Sequence, residues 1–228
     1  MTLTRRVVAE AMGTAFLLLA VVGSGIMAER LAEGNTAIAL LANAIATGGA
    51  LVALIHTFGP ISGAHFNPVV TLAIAWRDRL PRNEIILYLL AQFSGAWCGV
   101  IAAHFIFSTP LFELSTKVRS GIPLMTSEFI ATFGLLAVIL VGDRTRPESV
   151  PFSVAAYITG AYWFTSSTSF ANPAVTFARM FTDSFAGIQA ADVPFFMLAQ
   201  LAGMTVAFFC FSWLLGAGMR PLNKVSGH

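Results

Sequence analysis

The sequence predicts an all-α membrane protein with six transmembrane helices and two re-entrant half-helices, arranged as an inverted 3+3 repeat. The first observation is composition: 57% of the 228 residues are hydrophobic, 11% are charged, and the mean hydropathy is +0.78. Such values are typical of a polytopic membrane protein, and this length accommodates about six spans of ~20 residues. The second observation is a near-identical pentapeptide at Asn67 to Thr71 and Asn172 to Thr176, which indicates duplication.

Each copy of the pentapeptide predicts the start of a short helix. Asn caps exposed backbone N–H groups, and Pro suits the first helical position, where no donor is missed. The apolar stretches that follow, Pro68 to Trp76 and Pro173 to Phe181, would each be about 13 Å long. A bilayer core is about 30 Å thick, so these are predicted half-helices and not spans.

The hydropathy pattern predicts three spans on each side of a polar linker, with one half-helix between the second and third span of each half. The predicted spans are Val7 to Ala28, Thr36 to Phe58, Glu84 to Phe107, Pro123 to Val141, Val150 to Thr165 and Val193 to Leu215.

Basic residues predict the orientation, because Lys and Arg near span ends are retained on the cytoplasmic side. With the N-terminus inside, most of the 13 basic residues lie inside, and both termini are predicted to be cytoplasmic. The inside set is Arg5, Arg6, Arg77, Arg79, Arg82, Arg144, Arg146, Arg220 and Lys224, and the outside set is Arg30, Lys117, Arg119 and Arg179. Three spans per half invert the second half, so the half-helices would enter from opposite faces and meet near the midplane.

The repeat extends beyond the pentapeptides. Glu10 to Thr14 resembles Glu128 to Thr132, and Leu90 to Gly95 resembles Leu198 to Gly203. Together with the pentapeptide, these motifs occur in the same order in both halves of the chain, which favours internal duplication. We therefore predict a single channel domain over 1–228, with repeat 1 at about 7–107, a linker at 108–122 and repeat 2 at about 123–216.

These motifs identify a resemblance to the aquaporin or major intrinsic protein family over nearly the whole chain, from Glu10 to about Gly216. The paired Asn-Pro-Ala box of that family is seen as Asn67-Pro68-Val69 and Asn172-Pro173-Ala174, with Ser62-Gly63-Ala64-His65 before the first box. Val69 departs from the usual Ala. The resemblance implies a passive channel around a central pore in the inner (plasma) membrane, and a homotetramer with one pore per subunit.

Pore chemistry follows from the need to replace the hydrogen bonds that a solute makes with water. Asn67 and Asn172 can each offer a side-chain NH₂ at the midplane. Non-helical backbone at membrane depth is tolerated where it lines a cavity, so the stretches before each Asn are expected to expose carbonyl oxygens. The predicted carbonyl positions are Gly63, Ala64, His65, Phe170 and Ala171.

The buried polar residues of the spans have a supporting role by resemblance. Glu10 and Glu128 are too costly to leave ionised and unpaired in lipid, and each is expected to hold a half-helix loop through hydrogen bonds. Gln92 and Gln200, at matching places in the repeats, are expected to tie the same loops to the spans.

Selectivity is where the chain departs from its family, which often narrows the pore at a ring that includes an Arg three residues after the second Asn. Spacing from the motifs places the ring at Thr47, Gly160, Ser169 and Val175. This ring would be uncharged and wider than one closed by Arg, His and Phe. Bacterial channels that lack the filter arginine, such as those associated with arsenic handling, resemble the chain in this respect.

Arg179 lies one helical turn after Val175 and could lean back toward the pore mouth. A position at the vestibule rim or against a neighbouring helix is the favoured expectation. The implied cargo is small and uncharged: glycerol- and urea-type solutes, neutral metalloid acids such as arsenous acid, and water.

Two alternatives stay open, a water-selective aquaporin and a coupled secondary transporter. The second would need ion-coordinating carboxylates, and only Glu10 and Glu128 lie deep in a span. No cofactor, metal site, enzyme activity or nucleic-acid partner is predicted. Cys98 and Cys210 lack the spacing of a metal or redox site and are expected to be small buried hydrophobes.

Overall fold

A computed structural model of the protein describes residues 1–216, so Arg220 and Lys224 of the predicted cytoplasmic set lie outside the described residues. The described residues form eight α-helices and no strand. The helices are α1 (Leu3–Leu31), α2 (Thr36–Ser62), α3 (Pro68–Asp78), α4 (Arg82–Ile106), α5 (Ile122–Thr145), α6 (Val150–Phe164), α7 (Pro173–Ala178) and α8 (Val193–Leu215). Single 3-10 turns cover Pro147–Ser149, Arg179–Phe181 and Ala190–Asp192.

Six of these helices correspond to the predicted spans, and α3 and α7 correspond to the half-helices. Five stretches within residues 1–216 are long and apolar enough to cross a membrane: α1, α2, α4, α5 and Ala190–Leu215, which includes α8. The remaining predicted span, the fifth in chain order, corresponds to α6, which has 15 residues. At 1.5 Å per residue it is about 22 Å long. Pro147 and Pro151 mark its start, where the chain forms a 3-10 turn before the helix.

Asparagine side chains cap the starts of α2, α3 and α7. Asn35 Oδ1 accepts the backbone N–H groups of Ala37 and Ile38 at the start of α2. Asn67 and Asn172 cap α3 and α7, each followed by Pro at the first helical position. The second half-helix has only six α-helical residues, and the 3-10 turn over Arg179–Phe181 completes the predicted stretch.

The two halves pack alike. Helix α1 contacts α4 and α2, and α5 contacts α8 and α6, while α2 and α6 join the halves. Glycines allow the close approach within each half: an added Cβ at Gly95 would lie 2.3 Å from the Ala11 carbonyl oxygen, and one at Gly203 would lie 2.5 Å from that of Phe129. Small residues at such crossings let helix backbones approach closely in a membrane.

The outer surface of the bundle is apolar. Large exposed side chains include Phe105, Ile122, Trp163 and Trp213. The expectation that both cysteines are buried is wrong, since Cys98 and Cys210 are exposed on the outer faces of α4 and α8. A cysteine on the apolar exterior has apolar surroundings, as a buried cysteine does. Composition alone therefore could not distinguish an exterior cysteine from a buried one.

Candidate functional site

One cavity of about 560 Å³ runs along the centre of the bundle and is lined by residues of both halves. We name its ends by the residues that they carry. The proximal end, where α1 begins, has Arg6, Arg77 and Asp143, and the distal end has Arg179. Both Asn67 and Asn172 line the cavity between these ends.

The non-helical segments before the two half-helices follow the same backbone path. We call residues 63–67 the first loop and residues 168–172 the second loop. Positive φ angles occur at matching places: Gly63 (93°), Ala64 (49°) and Phe66 (50°) in the first loop, and Thr168 (62°), Ser169 (49°) and Ala171 (49°) in the second. Left-handed backbone costs about 1–2 kcal/mol for a residue with a Cβ, so each loop needs external support.

Glu10 supports the first loop. Its carboxylate accepts hydrogen bonds from the backbone N–H groups of His65 (2.9 Å) and Phe66 (2.8 Å), and from Ser62 Oγ (2.7 Å). Gln92 Nε2 donates to the same carboxylate at 2.9 Å. Gly13 adds steric support, because the Phe66 ring occupies the space where a Cβ would stand, with Cε1 at 2.0 Å.

Glu128 supports the second loop in the same way. Its two oxygens accept the backbone N–H groups of Phe170 (2.9 Å) and Ala171 (2.8 Å). Gln200 Nε2 donates to Glu128 at 2.6 Å and to Thr176 Oγ1 at 2.8 Å. Both glutamates are 0% exposed, and hydrogen bonds to an ionised acceptor are the stronger kind.

The two Asn residues join the loops to each other. Asn67 Nδ2 donates to the Ala171 carbonyl and Asn172 Nδ2 donates to the Phe66 carbonyl, both at 2.8 Å. Each amide oxygen meanwhile caps its own half-helix. An amide NH₂ has two hydrogens, so one N–H of each Asn is committed to the protein and one is left for a solute. The sequence did not indicate that one N–H of each Asn is bound by the other loop.

The predicted carbonyl positions divide into two groups. Gly63, Ala64, His65 and Phe170 line the cavity. Ala171 departs from the prediction: it is 0% exposed and its carbonyl accepts the hydrogen bond from Asn67. The sequence could not separate these cases, because which carbonyl faces the pore depends on the φ angle of each loop residue.

Three of the four predicted ring residues, Thr47, Ser169 and Val175, line the cavity, but Gly160 is not among its lining residues. Tyr162, two residues further along α6, lines the cavity and its hydroxyl lies 3.1 Å from Thr47 Oγ1. Two residues on an α-helix differ by about 200° in direction, so Gly160 and Tyr162 face opposite ways. Spacing to the motif missed Tyr162, and the available signal was weak, because Tyr162 is one of two tyrosines in α6.

Ser169 has the free polar atom of this region. Its Oγ is buried and has no protein partner, while its residue lines the cavity. The Thr47 and Tyr162 hydroxyls lie within hydrogen-bonding distance of each other, so among the described residues of this ring the Ser169 hydroxyl is the one without a hydrogen-bond partner.

Arg179 lies in the cavity wall, contrary to the expectation of a rim position. It is 2% exposed, its Nε donates to the Ala186 carbonyl, and its Cζ lies 3.4 Å from the centroid of the Phe170 ring. The 3-10 turn after α7 and the returning segment that carries Ala186 allow this placement. Counting residues along an ideal helix does not predict this inward placement of Arg179.

Arg119 of the linker joins the distal end, and sequence reasoning missed it. Its Nε donates to the Gly187 carbonyl (2.8 Å) and its Nη1 to the Ser167 carbonyl (3.0 Å), and its Cζ lies 5.0 Å from the Phe170 centroid. Burial lowers the pKa of Arg119 to about 10, against the opposing effect of Glu128, so it stays cationic at neutral pH.

The proximal end has charges of both signs. Arg77 Nη1 donates to Asp143 Oδ2 at 2.6 Å, and its Nε and Nη2 donate to Asp78 at 2.9 and 3.1 Å. Arg6 pairs with Glu84 and donates from Nε to Tyr88 Oη at 2.9 Å. Within residues 1–216, no group of three His, Cys, Asp or Glu side chains is placed to hold a metal ion.

Comparisons with known proteins agree with this geometry. A family model described as major intrinsic protein matches residues 1–164, more than half of the chain. Aquaglyceroporin AqpS of Rhizobium meliloti is 53% identical over 222 residues, which cover 97% of this chain and 94% of the relative. The probable aquaporin AqpM of Archaeoglobus fulgidus is 30% identical over 244 residues, with 94% and 98% covered.

The solved structures extend the likeness to the fold. The aquaglyceroporin from Plasmodium falciparum, known from an X-ray structure, matches with a TM-score of 0.72 at 19% identity, over 96% of this chain and 99% of that one. At that identity the match shows a shared fold, and the family model and the relatives show the family. The chain therefore belongs to the major intrinsic protein family and is a multi-pass membrane channel, not an enzyme.

Proposed function

We propose that this chain is a passive channel for small uncharged solutes larger than water, including glycerol- and urea-type molecules, neutral metalloid acids such as arsenous acid, and water itself. The observation that carries the proposal is Val175: a short apolar side chain lines the cavity at the position where the resemblance predicts a filter arginine. A wall of this kind leaves more room and binds water less strongly than a guanidinium. The similarity to an aquaglyceroporin at 53% identity supports the same cargo class.

The polar groups of the cavity suit a solute that carries several hydroxyl or amide groups. Asn67 and Asn172 each have one uncommitted N–H, and Ser169 has a free hydroxyl. The rest of the wall is largely apolar, with Leu51 and Ile158 among the lining residues. A neutral polyol can exchange its water for these few partners, whereas an ion loses far more hydration than they replace.

A narrower, water-selective pore is the second candidate, and Tyr162 and Arg179 favour it because both bring bulk into the distal cavity. A coupled transporter is the third alternative. In a channel, the flux should rise linearly with the solute gradient and should not depend on sodium or on a pH difference.

The proposal is tested by stopped-flow light scattering on proteoliposomes that contain the wild type, Val175→Arg or Val175→Met. We expect Val175→Arg to lower glycerol and metalloid-acid flux by about tenfold or more, a barrier change of about 1.4 kcal/mol, with a much smaller loss of water flux. Val175→Met is the matched control for bulk without charge. Equal permeability profiles for the three proteins would remove Val175 from the selectivity argument, and a wild type that passes only water would favour the second candidate.

We also propose the finer assembly: a homotetramer in the inner membrane with cytoplasmic termini, built from one channel domain with repeats at about 7–107 and 123–216. The family resemblance supports four copies, and the distribution of basic residues supports the orientation. The matching loops and clamps support the duplication. Mass photometry of the protein in detergent and a protease-sensitive tag at the N-terminus test the copy number and the orientation.

A further inference from the structure

Two arginine side chains meet at the distal end of the cavity on one aromatic ring. The Cζ atoms of Arg179 and Arg119 lie 3.4 and 5.0 Å from the centroid of Phe170. Arg179 is 2% exposed, Arg119 is 7% exposed and Phe170 is 4% exposed. A charged group that is taken out of water is costly unless it is paired, so these two buried cations require an explanation.

The partners of the two arginines are neutral. Arg179 donates to the carbonyl of Ala186, and Arg119 donates to those of Gly187 and Ser167. Among residues 1–216, neither guanidinium has a carboxylate within ion-pair distance. Glu128, whose charge acts on both, is held by the backbone of the second loop. The carbonyls therefore fix the positions of the two charges without neutralising them.

The surrounding backbone is built to hold this pair. Ser115 N–H donates to the Met180 carbonyl at 2.9 Å, and Gln189 N–H donates to the Lys117 carbonyl at 2.8 Å, so the linker is bound to the segment after α7. Gly187 permits the contact, because an added Cβ would lie 2.2 Å from Ser115 Oγ and 2.4 Å from the Thr182 carbonyl oxygen. The Asp192 carboxylate accepts the backbone N–H of Arg119 at 2.7 Å.

Arg179 also faces the solute path. It lines the same cavity as Val175, and it has five N–H groups, of which the Nε–H donates to Ala186. The described residues offer its Nη groups no hydrogen-bond acceptor. These donors can therefore bind the oxygen of a neutral solute, while the positive charge repels a cation in a poorly screened site.

We propose that Arg179, reinforced by Arg119, is the cation barrier of this channel, placed one helical turn beyond Val175. Size selection and charge exclusion then depend on different residues: Val175 leaves the ring open, and the arginine pair on Phe170 rejects protons and metal cations. The inference rests on the proposed function in one respect, that neutral solutes pass through this cavity.

The test measures cation leak and glycerol flux on the same proteoliposomes. A potassium diffusion potential drives proton or sodium entry, which a trapped fluorescent indicator reports. The variants are Arg179→Met, Arg179→Lys, Arg119→Met and the Arg119/Arg179 double Met substitution. Arg30→Met is the matched control, because Arg30 is an exposed arginine near the same end that donates to the Phe107 carbonyl and is absent from the cavity wall.

We expect Arg179→Met to raise the cation leak by at least about tenfold relative to Arg30→Met, when each leak is divided by the glycerol flux of the same proteoliposomes. Arg119→Met should raise the leak less, the double substitution should raise it most, and Arg179→Lys should keep it near the wild-type level because the charge remains. A leak of Arg179→Met equal to that of Arg30→Met would overturn the proposal.

Two further outcomes are informative. If Arg179→Met does not assemble, as judged by size-exclusion chromatography, Arg119→Met decides, and a wild-type leak in that variant overturns the inference. If the wild type conducts water but no glycerol, the proposed function fails, while the comparison of leaks still tests the arginine pair independently.

Discussion

The two loops at the centre of the protein share one scaffold but differ in the charges beyond them. Each has a buried glutamate that accepts two backbone N–H groups, a glutamine that donates to that glutamate, and an Asn that donates across to the other loop. Beyond the first loop, Arg77 is paired with Asp78 and Asp143. Beyond the second loop, the hydrogen bonds that the Arg179 and Arg119 guanidinium groups make within residues 1–216 all go to backbone carbonyls.

This difference separates what the duplicated architecture requires from what it leaves free. Strained, non-helical backbone inside a membrane must have its N–H groups satisfied, so both copies retain the glutamate and glutamine. The charges at the proximal and distal ends of the cavity are not needed to support the loops. At the proximal end the charge of Arg77 is neutralised by two nearby carboxylates, whereas the two distal guanidinium groups have no carboxylate within ion-pair distance among the described residues and keep their positive charge beside the cavity.

The largest effect is expected from substitution of the two clamp carboxylates, Glu10→Gln and Glu128→Gln. An amide NH₂ would face backbone donors, and each substitution removes hydrogen bonds to a charged group that are worth about 1.5–3 kcal/mol each. We expect each variant to lose roughly 3 kcal/mol or more of unfolding free energy. Thermal unfolding in detergent, followed by circular dichroism, measures the loss.

The comparison predicts a loss for both clamp variants, because each carboxylate accepts two loop N–H groups and a glutamine amide, and a somewhat larger loss for Glu10→Gln, because Glu10 also accepts the Ser62 hydroxyl. Glu33→Gln is the control, since Glu33 is exposed in the turn after α1. A destabilised Glu128→Gln beside an unaffected Glu10→Gln would show that the copies do not share one scaffold.

A smaller effect is expected where glycines let the helices of each half approach. Gly95→Ala and Gly203→Ala would place a Cβ 2.3 and 2.5 Å from carbonyl oxygens of α1 and α5. Overpacking of this kind costs about 1–3 kcal/mol. Gly49→Ala is the matched control, because nothing lies within 4 Å of a Cβ there and alanine favours the helix.

The glycine prediction also tests the symmetry of the halves. Apparent melting temperatures should fall for both Gly95→Ala and Gly203→Ala and should be unchanged or raised for Gly49→Ala. If the melting temperature of one of these two variants is unchanged, the corresponding helix pair can move apart without a loss of stability. The halves would then differ in rigidity as well as in charge.

The smallest effect concerns Lys117 in the linker beside the arginine pair. Burial, and then Arg119 and Arg179, lower the pKa of Lys117 to about 8 from an ordinary 10.5. Between these pH values the unfolded chain holds a proton that the folded chain has released, so this group makes the unfolding free energy rise with pH. The stability of the wild type relative to Lys117→Gln should increase modestly between about pH 7.5 and pH 10. A difference that does not vary with pH would mean that neither burial nor the nearby arginines lower the pKa of Lys117.

Much of the architecture was predictable because it depends on local rules. Hydropathy located the six long helices, and Asn followed by Pro located both half-helices within a few residues of their observed ends. A lone carboxylate deep in a span requires a partner, and the family resemblance implied that Glu10 and Glu128 support the loops. The structure supplies the partners, namely the backbone N–H groups of both loops.

The composition of the cavity wall was less predictable. Spacing from the second Asn indicated Gly160, but the rotation of α6 brings Tyr162 to the cavity. Arg179 was expected at the rim, but the 3-10 turn after α7 turns it inward. Ala171 was expected to offer a carbonyl to solutes, but Asn67 binds that carbonyl.

The sequence by itself determined the membrane class, the duplication, the two half-helices and the absence of an arginine at position 175, because each follows from composition, from capping chemistry or from the residue present. Only the tertiary structure decided which side chains meet at the distal end. Arg119 lies 60 residues from Arg179 along the chain, and the carbonyls that hold them come from Ala186, Gly187 and Ser167. Contacts of that kind depend on how the linker folds back over the bundle, which no local pattern encodes.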